Sequence, residues 1–315
     1  MATTLVPVAT DPPVPYPTPD ALAHALAGRY RLVRRLASGG MSDVYLAWES
    51  GLERHVAVKV LNPAGATDVE DRERFRREAR TLAHLAHPSI VPVYAAGDSR
   101  SVPYFVMAYV PGGSLQQRLE REGRVPVADA CAILADIAEA LDCAHRSGVV
   151  HRDVKPSNIL LDEVAGRALL SDFGVAIVQT SDHSRSEVSK ALGTPDYMSP
   201  EQILGEQEFD GRSDLYALGV VGFRMLTGRL PFRGSSPQAV AAQHVSLEAP
   251  AVEGFVSGIP AGVAVAIGRC LEKHPLQRWP DGATLARALR GATVRAPTAR
   301  AGRSLAAALG TLLFA

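Results

Sequence analysis

The apolar residues of this chain change period near Pro111-Gly112-Gly113, and that switch constrains the fold more than any other feature. Before it lie short β-rich runs, Tyr30–Leu36, Val44–Glu49 and His55–Leu61, broken by Ser38-Gly39-Gly40 and Ser50-Gly51 as antiparallel strands would be. One charged helical stretch follows, about Asp68–Ala86, then two more strands near Val91–Asp98 and Tyr104–Tyr109. Beyond the break the spacing is mainly helical, as in Val127–Arg146, Asp214–Gly228 and Val263–Lys273. The pattern predicts an α+β chain: a small β-rich lobe over 30–107, a hinge over 108–113 and a larger helical lobe over 114–290. A cleft between two such lobes is a common place for a small-molecule site.

A length of 315 residues with 47% hydrophobic content suffices for one large core or two modest ones. The 33 basic and 33 acidic residues cancel, so bulk charge asks for neither nucleic acid nor an anionic membrane as partner. Cys131, Cys143 and Cys270 form no Cys-x-x-Cys pair, and no basic segment followed by an apolar signal stretch opens the chain. A cytoplasmic location with buried, inert thiols is the expectation. Residues 1–27 carry prolines at 7, 12, 13, 15, 17 and 19, which suits a disordered leader. At the other end, 291–315 combines Arg295, Arg300 and Arg303 with the apolar run Leu305–Ala315, too short to cross a bilayer. An interfacial helix touching a membrane and a frayed tail are both open there.

Four segments carry polar groups that demand explanation. Ala37-Ser38-Gly39-Gly40-Met41-Ser42-Asp43-Val44 lies between two expected strands, where glycine lets backbone amides approach phosphate oxygens; alone, it is equally an ordinary Gly-rich hairpin. Val56-Ala57-Val58-Lys59 sets a lysine in an apolar strand, where its ammonium needs a carboxylate or phosphate, and Glu78 on the next helix is the natural carboxylate. His151-Arg152-Asp153-Val154-Lys155-Pro156-Ser157-Asn158 is dense in polar groups between Val149-Val150 and Ile159-Leu160-Leu161. There Asp153 can orient an incoming hydroxyl, Lys155 can steady a phosphate and Asn158 offers an uncharged oxygen to a metal. Ser171-Asp172-Phe173-Gly174 puts a hard carboxylate after a β-like run, suited to Mg2+ or, equally, to a hairpin turn.

Read together with Gly193-Thr194-Pro195-Asp196-Tyr197-Met198-Ser199-Pro200-Glu201, these blocks resemble the eukaryotic-type protein kinases over about Tyr30–Leu289. The Gly-Gly-Met loop and the Pro-Gly-Gly-Ser-Leu hinge resemble the bacterial, Hanks-type branch. The resemblance implies a bilobal fold, ATP and Mg2+, and protein substrates presenting Ser or Thr. It implies that Lys59 meets the α/β-phosphates and pairs with Glu78, that Asn158 and Asp172 hold Mg2+, and that Asp153 is the catalytic base assisted by Lys155. The nucleotide would lie against Ala37, Gly39, Gly40, Val44, Ala57, Met107, Ala108, Val110 and Leu160, with the Ala108 carbonyl and the Val110 backbone on the adenine edge. Lys155 two residues after Asp153, with Thr194, marks serine/threonine rather than tyrosine specificity.

The loop Val175–Leu192 contains Thr180, Ser181, Ser184, Ser186 and Ser189, and a phosphate there could dock on Arg152 and order the loop, with two copies of the chain phosphorylating each other. Glu201 with Arg278, and Asp214, are implied to brace the larger lobe and the catalytic loop. Three positions depart from the family pattern: Ala37 and Ser42 replace glycines of the phosphate loop, and Ser199 replaces alanine. The alternative to an enzyme is a pseudokinase scaffold, which the presence of Lys59, Glu78, Asp153, Asn158 and Asp172 disfavours.

Overall fold

A computed structural model describes residues 26, 28–39, 42–61, 69–99, 102–173, 195–206 and 210–294. The leader apart from Leu26, Gly40, the loop serines and threonines at 180–194 and the tail from 295 onward lie outside the described residues, as does the side chain of Glu78.

Strands β1 (Tyr30–Ser38), β2 (Ser42–Glu49), β3 (Arg54–Leu61), β4 (Val93–Ser99) and β5 (Val102–Ala108) form one antiparallel sheet in the order β1-β2-β3-β5-β4. β3 is its central strand and is buried on both faces, which is why it reads as an almost continuous apolar run. Successive side chains alternate across the sheet. Val56, Val58 and Val60 therefore pack outward with Leu26, Tyr30, Tyr45 and Val106, while Ala57 and Leu61 join the main core. Lys59 shares the inner face with Ala57 and Leu61, so the register alone aims its ammonium at the lobe junction. Helix α1 (Val69–His84) covers that inner face through Phe75, Ala79 and Leu82, with the Phe75 and Phe105 rings 5.1 Å apart.

The larger lobe is helical: α2 (Leu115–Glu122), α3 (Val127–Arg146), α4 (Pro200–Leu204), α5 (Arg212–Thr227), α6 (Pro237–Ser246), α7 (Ala261–Cys270) and α8 (Gly282–Val294). Helix α5 is almost wholly buried and forms its centre, and α3 buries one broad face against it, as expected of a helix without and a helix with a polar face. At Gly219 a Cβ would come 2.4 Å from that of Cys270, so α5 and α7 cross at a distance only glycine allows. A two-stranded ribbon, β6 (Ile159–Asp162) with β7 (Arg167–Leu170), lies against the sheet lobe, where the Val91 amide donates to the Leu170 carbonyl at 3.0 Å.

Expected boundaries move by a few residues. The largest shift is at α7, which stops at Cys270 rather than Lys273 because the Arg278 guanidinium takes the carbonyls of Glu272 and Lys273. Burial pushes the thiols of Cys131 and Cys270 up to about 11 and about 12, whereas Cys143 is only half-buried, which corrects the expectation of three buried thiols. Among the described residues no helix is long and apolar enough to cross a membrane.

Candidate active site

The segment His151–Asn158 runs between α3 and β6 and is held from below by one carboxylate. Asp214, buried near the start of α5, accepts the amide of His151 at 2.8 Å and that of Arg152 at 2.7 Å, and meets His145 Nε2 at 2.7 Å. Arg152 sits at φ +67°, a left-handed conformation uncommon for a side-chain-bearing residue. Its amide is fixed by Asp214 and its carbonyl accepts from Gln202 Nε2 at 2.9 Å, so the surrounding structure over-determines this backbone.

His151 is fully buried, and burial holds its imidazole below 6.5 against the carboxylates of Asp214, Asp153 and Asp172. The neutral ring fits its contacts: Nδ1 accepts the Asp153 amide at 3.2 Å and Nε2 donates to the Ser171 carbonyl at 3.0 Å. One side chain thus ties the segment bearing Asp153 to the segment bearing Asp172, and Phe173 packs on it with ring centres 4.7 Å apart.

The Asp153 carboxylate faces outward, with 46% of its side-chain surface exposed. Its Oδ2 accepts from Lys155 Nζ at 2.7 Å and from Asn158 Nδ2 at 3.1 Å. The Asn158 amide also donates to the Asp153 carbonyl at 2.9 Å, which occupies its nitrogen, while its oxygen accepts from the Ser157 hydroxyl at 3.3 Å and keeps a second lone pair. Across the cleft, Lys59 Nζ donates to Asp172 Oδ1 at 2.9 Å. Burial alone would raise the Asp172 carboxyl; Lys59 more than reverses this and holds it below 3.8, so it is a carboxylate at neutral pH. Asp172 has φ +50°, a second strained residue at the same place. An amide oxygen and a carboxylate oxygen are hard donors that suit Mg2+, whose further ligands would be phosphate and water oxygens. The donor set therefore fits a magnesium nucleotide.

Above these groups the two lobes share an apolar surface. Ala57, Met107 and Val110 are buried in the main core, and Leu36, Val44, Ala108 and Leu160 pack against it half-buried. Ala57 pairs with Met107 in the sheet, and Leu160 reaches the hinge through its bridge to Ser114. Among the described residues the Val110 amide and carbonyl have no hydrogen-bond partner, which leaves them available to a planar polar edge. The hinge is held close: the Leu161 amide donates to the Gly113 carbonyl at 2.9 Å, and a Cβ on Gly112 would stand 2.1 Å from the Leu161 carbonyl. Ala37 pairs with Val44, and the Gly39 amide closes a turn onto the Ser42 carbonyl at 2.9 Å.

Farther from the cleft, Arg278 and Glu201 form a bidentate pair at 2.6 and 2.8 Å, both side chains buried. Ser199 caps α4 reciprocally with Gln202, which is how Gln202 comes to hold the Arg152 carbonyl. The Ser-x-x-Gln spacing is a capping-box signature and could have identified Gln202 in the sequence. No sequence signal marks His145, whose role depends on α3 ending beside α5.

The protein kinase domain family matches residues 30–284 of this chain. Among curated relatives, the serine/threonine-protein kinase PknB of Mycobacterium tuberculosis is 39% identical over 265 residues, 82% of this chain and 42% of its own length. PrkC of Bacillus subtilis is 38% identical over 81% of this chain and 39% of its own. For PksC of Streptomyces coelicolor the identity is 41%, over 82% and 48%. The chain thus spans less than half the length of these relatives. The solved kinase domain of Mycobacterium tuberculosis PknI superposes with a TM-score of 0.65 at 32% identity, covering 84% of this chain and 96% of that one.

Proposed function

This chain belongs to the protein kinase family, among the eukaryotic-type serine/threonine kinases of bacteria, and from that premise we propose that it transfers the γ-phosphoryl group of Mg-ATP to Ser or Thr hydroxyls of proteins. The observation that carries this reading is the outward Asp153 carboxylate, braced by Lys155 and Asn158, opposite the Lys59–Asp172 pair. In the proposed step the substrate oxygen bonds to phosphorus, the bond to the ADP oxygen breaks, and Asp153 orients the hydroxyl and takes its proton. Lys155, already 2.7 Å from Asp153, neutralises the migrating phosphoryl group beside the base. Lys59 moves from Asp172 toward the nucleotide phosphates, or bridges both. Asn158 and Asp172 would hold Mg2+, which when bound would supply charge neutralisation to the phosphates.

The adenine lies between Val44, Ala57, Met107 and Leu160 and is met by the main chain of Ala108 and Val110. Because these contacts use backbone atoms, Ala108, where relatives often carry an acidic residue, is compatible with nucleotide binding. The spare serines and threonines of 175–194 make the chain's own loop a first substrate, and Arg152 a docking cation for its phosphate.

The test is phosphate transfer by purified protein with ATP and Mg2+, read by phosphosite mass spectrometry beside Asp153→Asn. Phosphoserine or phosphothreonine in wild type, and a loss of about 10²-fold or more in the variant, is the expected result. No transfer with ATP still bound would sink the enzyme reading in favour of a nucleotide-binding scaffold.

A further inference from the structure

Arg224 lies near the end of α5, half-buried, between the turn carrying Tyr197 and the start of α2. On one side its Nη1 donates to the Tyr197 hydroxyl, in the 195–199 segment that Gln202 ties to the Arg152 carbonyl. On the other side the same Nη1 donates at 2.9 Å to Oε1 of Gln116, at the start of α2, which the Ser114–Leu160 bridge ties to the strand following Asn158. Both partners are neutral. Among the described residues Nε and Nη2 of Arg224 have no hydrogen-bond partner and remain in reach of solvent, and no carboxylate lies within ion-pair distance. Gln116 separates it from Glu120, to which the Gln116 amide donates at 2.5 Å. Asp196 is near enough for Arg224 to oppose the upward push of burial on its carboxyl, but not near enough to pair.

A guanidinium held by one nitrogen, with the rest of its fork open to solvent, is a preformed donor site for a carboxylate. We propose that Arg224 is a specificity-determining residue that selects protein substrates carrying an Asp or Glu side chain near the phosphorylated hydroxyl, and that it disfavours basic ones. This rests on the kinase reading above and adds the class of substrate. The charge is what decides it: Lys155 already pairs with Asp153, whereas the guanidinium of Arg224 has only neutral hydrogen-bond partners, so its uncompensated positive charge attracts acidic side chains and repels basic ones.

The test uses the full chain and a neutral serine peptide in which Glu or Lys is placed singly at each of the flanking positions. Both kcat/KM and, for versions with alanine in place of serine, the binding constant are measured. Glu at one position is expected to improve both about three- to tenfold over Lys there. Arg224→Lys should keep the preference, Arg224→Gln flatten it and Arg224→Glu invert it; a melting curve for each variant separates this from loss of folding. Equal binding of Glu and Lys peptides at every position, or the wild-type profile surviving in folded Arg224→Glu, would overturn the proposal. Charge-selective binding without transfer to any serine peptide would instead count against the kinase reading and leave the recognition site standing.

Discussion

Replacing Arg278 by Met should be among the most damaging changes outside the cleft. The Arg278 side chain is fully buried and donates five hydrogen bonds: to both oxygens of Glu201, and to the carbonyls of Glu272, Arg212 and Lys273 at 2.8, 3.1 and 2.9 Å. Methionine fills much of the volume and makes none of them. Glu201 would keep the Ser213 hydroxyl, at 2.5 Å, and its own backbone amide, and would be left as a buried charge without a cation. Breaking one side of such a pair costs about 3–5 kcal/mol. In a domain of this size that is a fall in melting temperature of roughly 6–20 °C.

The pH dependence is a second handle on the same pair. Burial would raise the Glu201 carboxyl, but hydrogen bonds from Arg278 and Ser213 outweigh it and hold it below 4.5. A carboxyl lowered on folding stabilises above its unfolded value and loses that contribution as the pH falls through the folded one. The gap between wild type and Arg278→Met should therefore be full at pH 7 and narrow in acid. Adding Glu201→Gln to the variant should recover part of the loss by removing the stranded charge. Thermal unfolding of wild type, Arg278→Met, Glu201→Gln and the double variant across pH reads all of this. A loss under about 1 kcal/mol at pH 7, or strict additivity of the two changes, would refute the argument.

Asp214→Asn leaves one acceptor oxygen where the two loop amides and His145 now meet two, so it should cost about 1–3 kcal/mol and lower kcat at least tenfold, measured by melting and by transfer assay. Gly112→Ala drives a Cβ against the Leu161 carbonyl, and the displaced hinge should raise KM for ATP about tenfold or more. His244 is buried against Tyr216 and Phe232, and burial first, Lys273 second, push its imidazole down to about 4. Its neutral form favours folding above pH 6.5, and that contribution is lost as the pH falls from 6.5 toward 4. His244→Gln should accordingly reduce the proton uptake on unfolding at pH 5 by about one, read from the slope of stability against pH.

The sequence by itself determined the two lobes, the place of the hinge and the order of the blocks, because strand and helix periodicities and glycine breaks are local properties. It also singled out Asp153, Lys155 and Asn158, since polar groups crowded between apolar runs have few inexpensive explanations. Helices α2, α6 and α8 are not singled out by periodicity; α6 is short and its capping serine resembles loop chemistry. What pairs with what was decided only in three dimensions. Lys59 and Asp172 are 113 residues apart and Glu201 and Arg278 are 77 apart, and residue spacing says nothing about distances closed by packing. The same is true of His145 on Asp214 and of Arg224 between Tyr197 and Gln116, contacts that exist because α5 packs against both α3 and the turn carrying Tyr197. Sequence fixes which chemical groups are present and which face of an element they occupy; only the packing of buried elements decides which of those groups meet and how far the others are left open to a substrate.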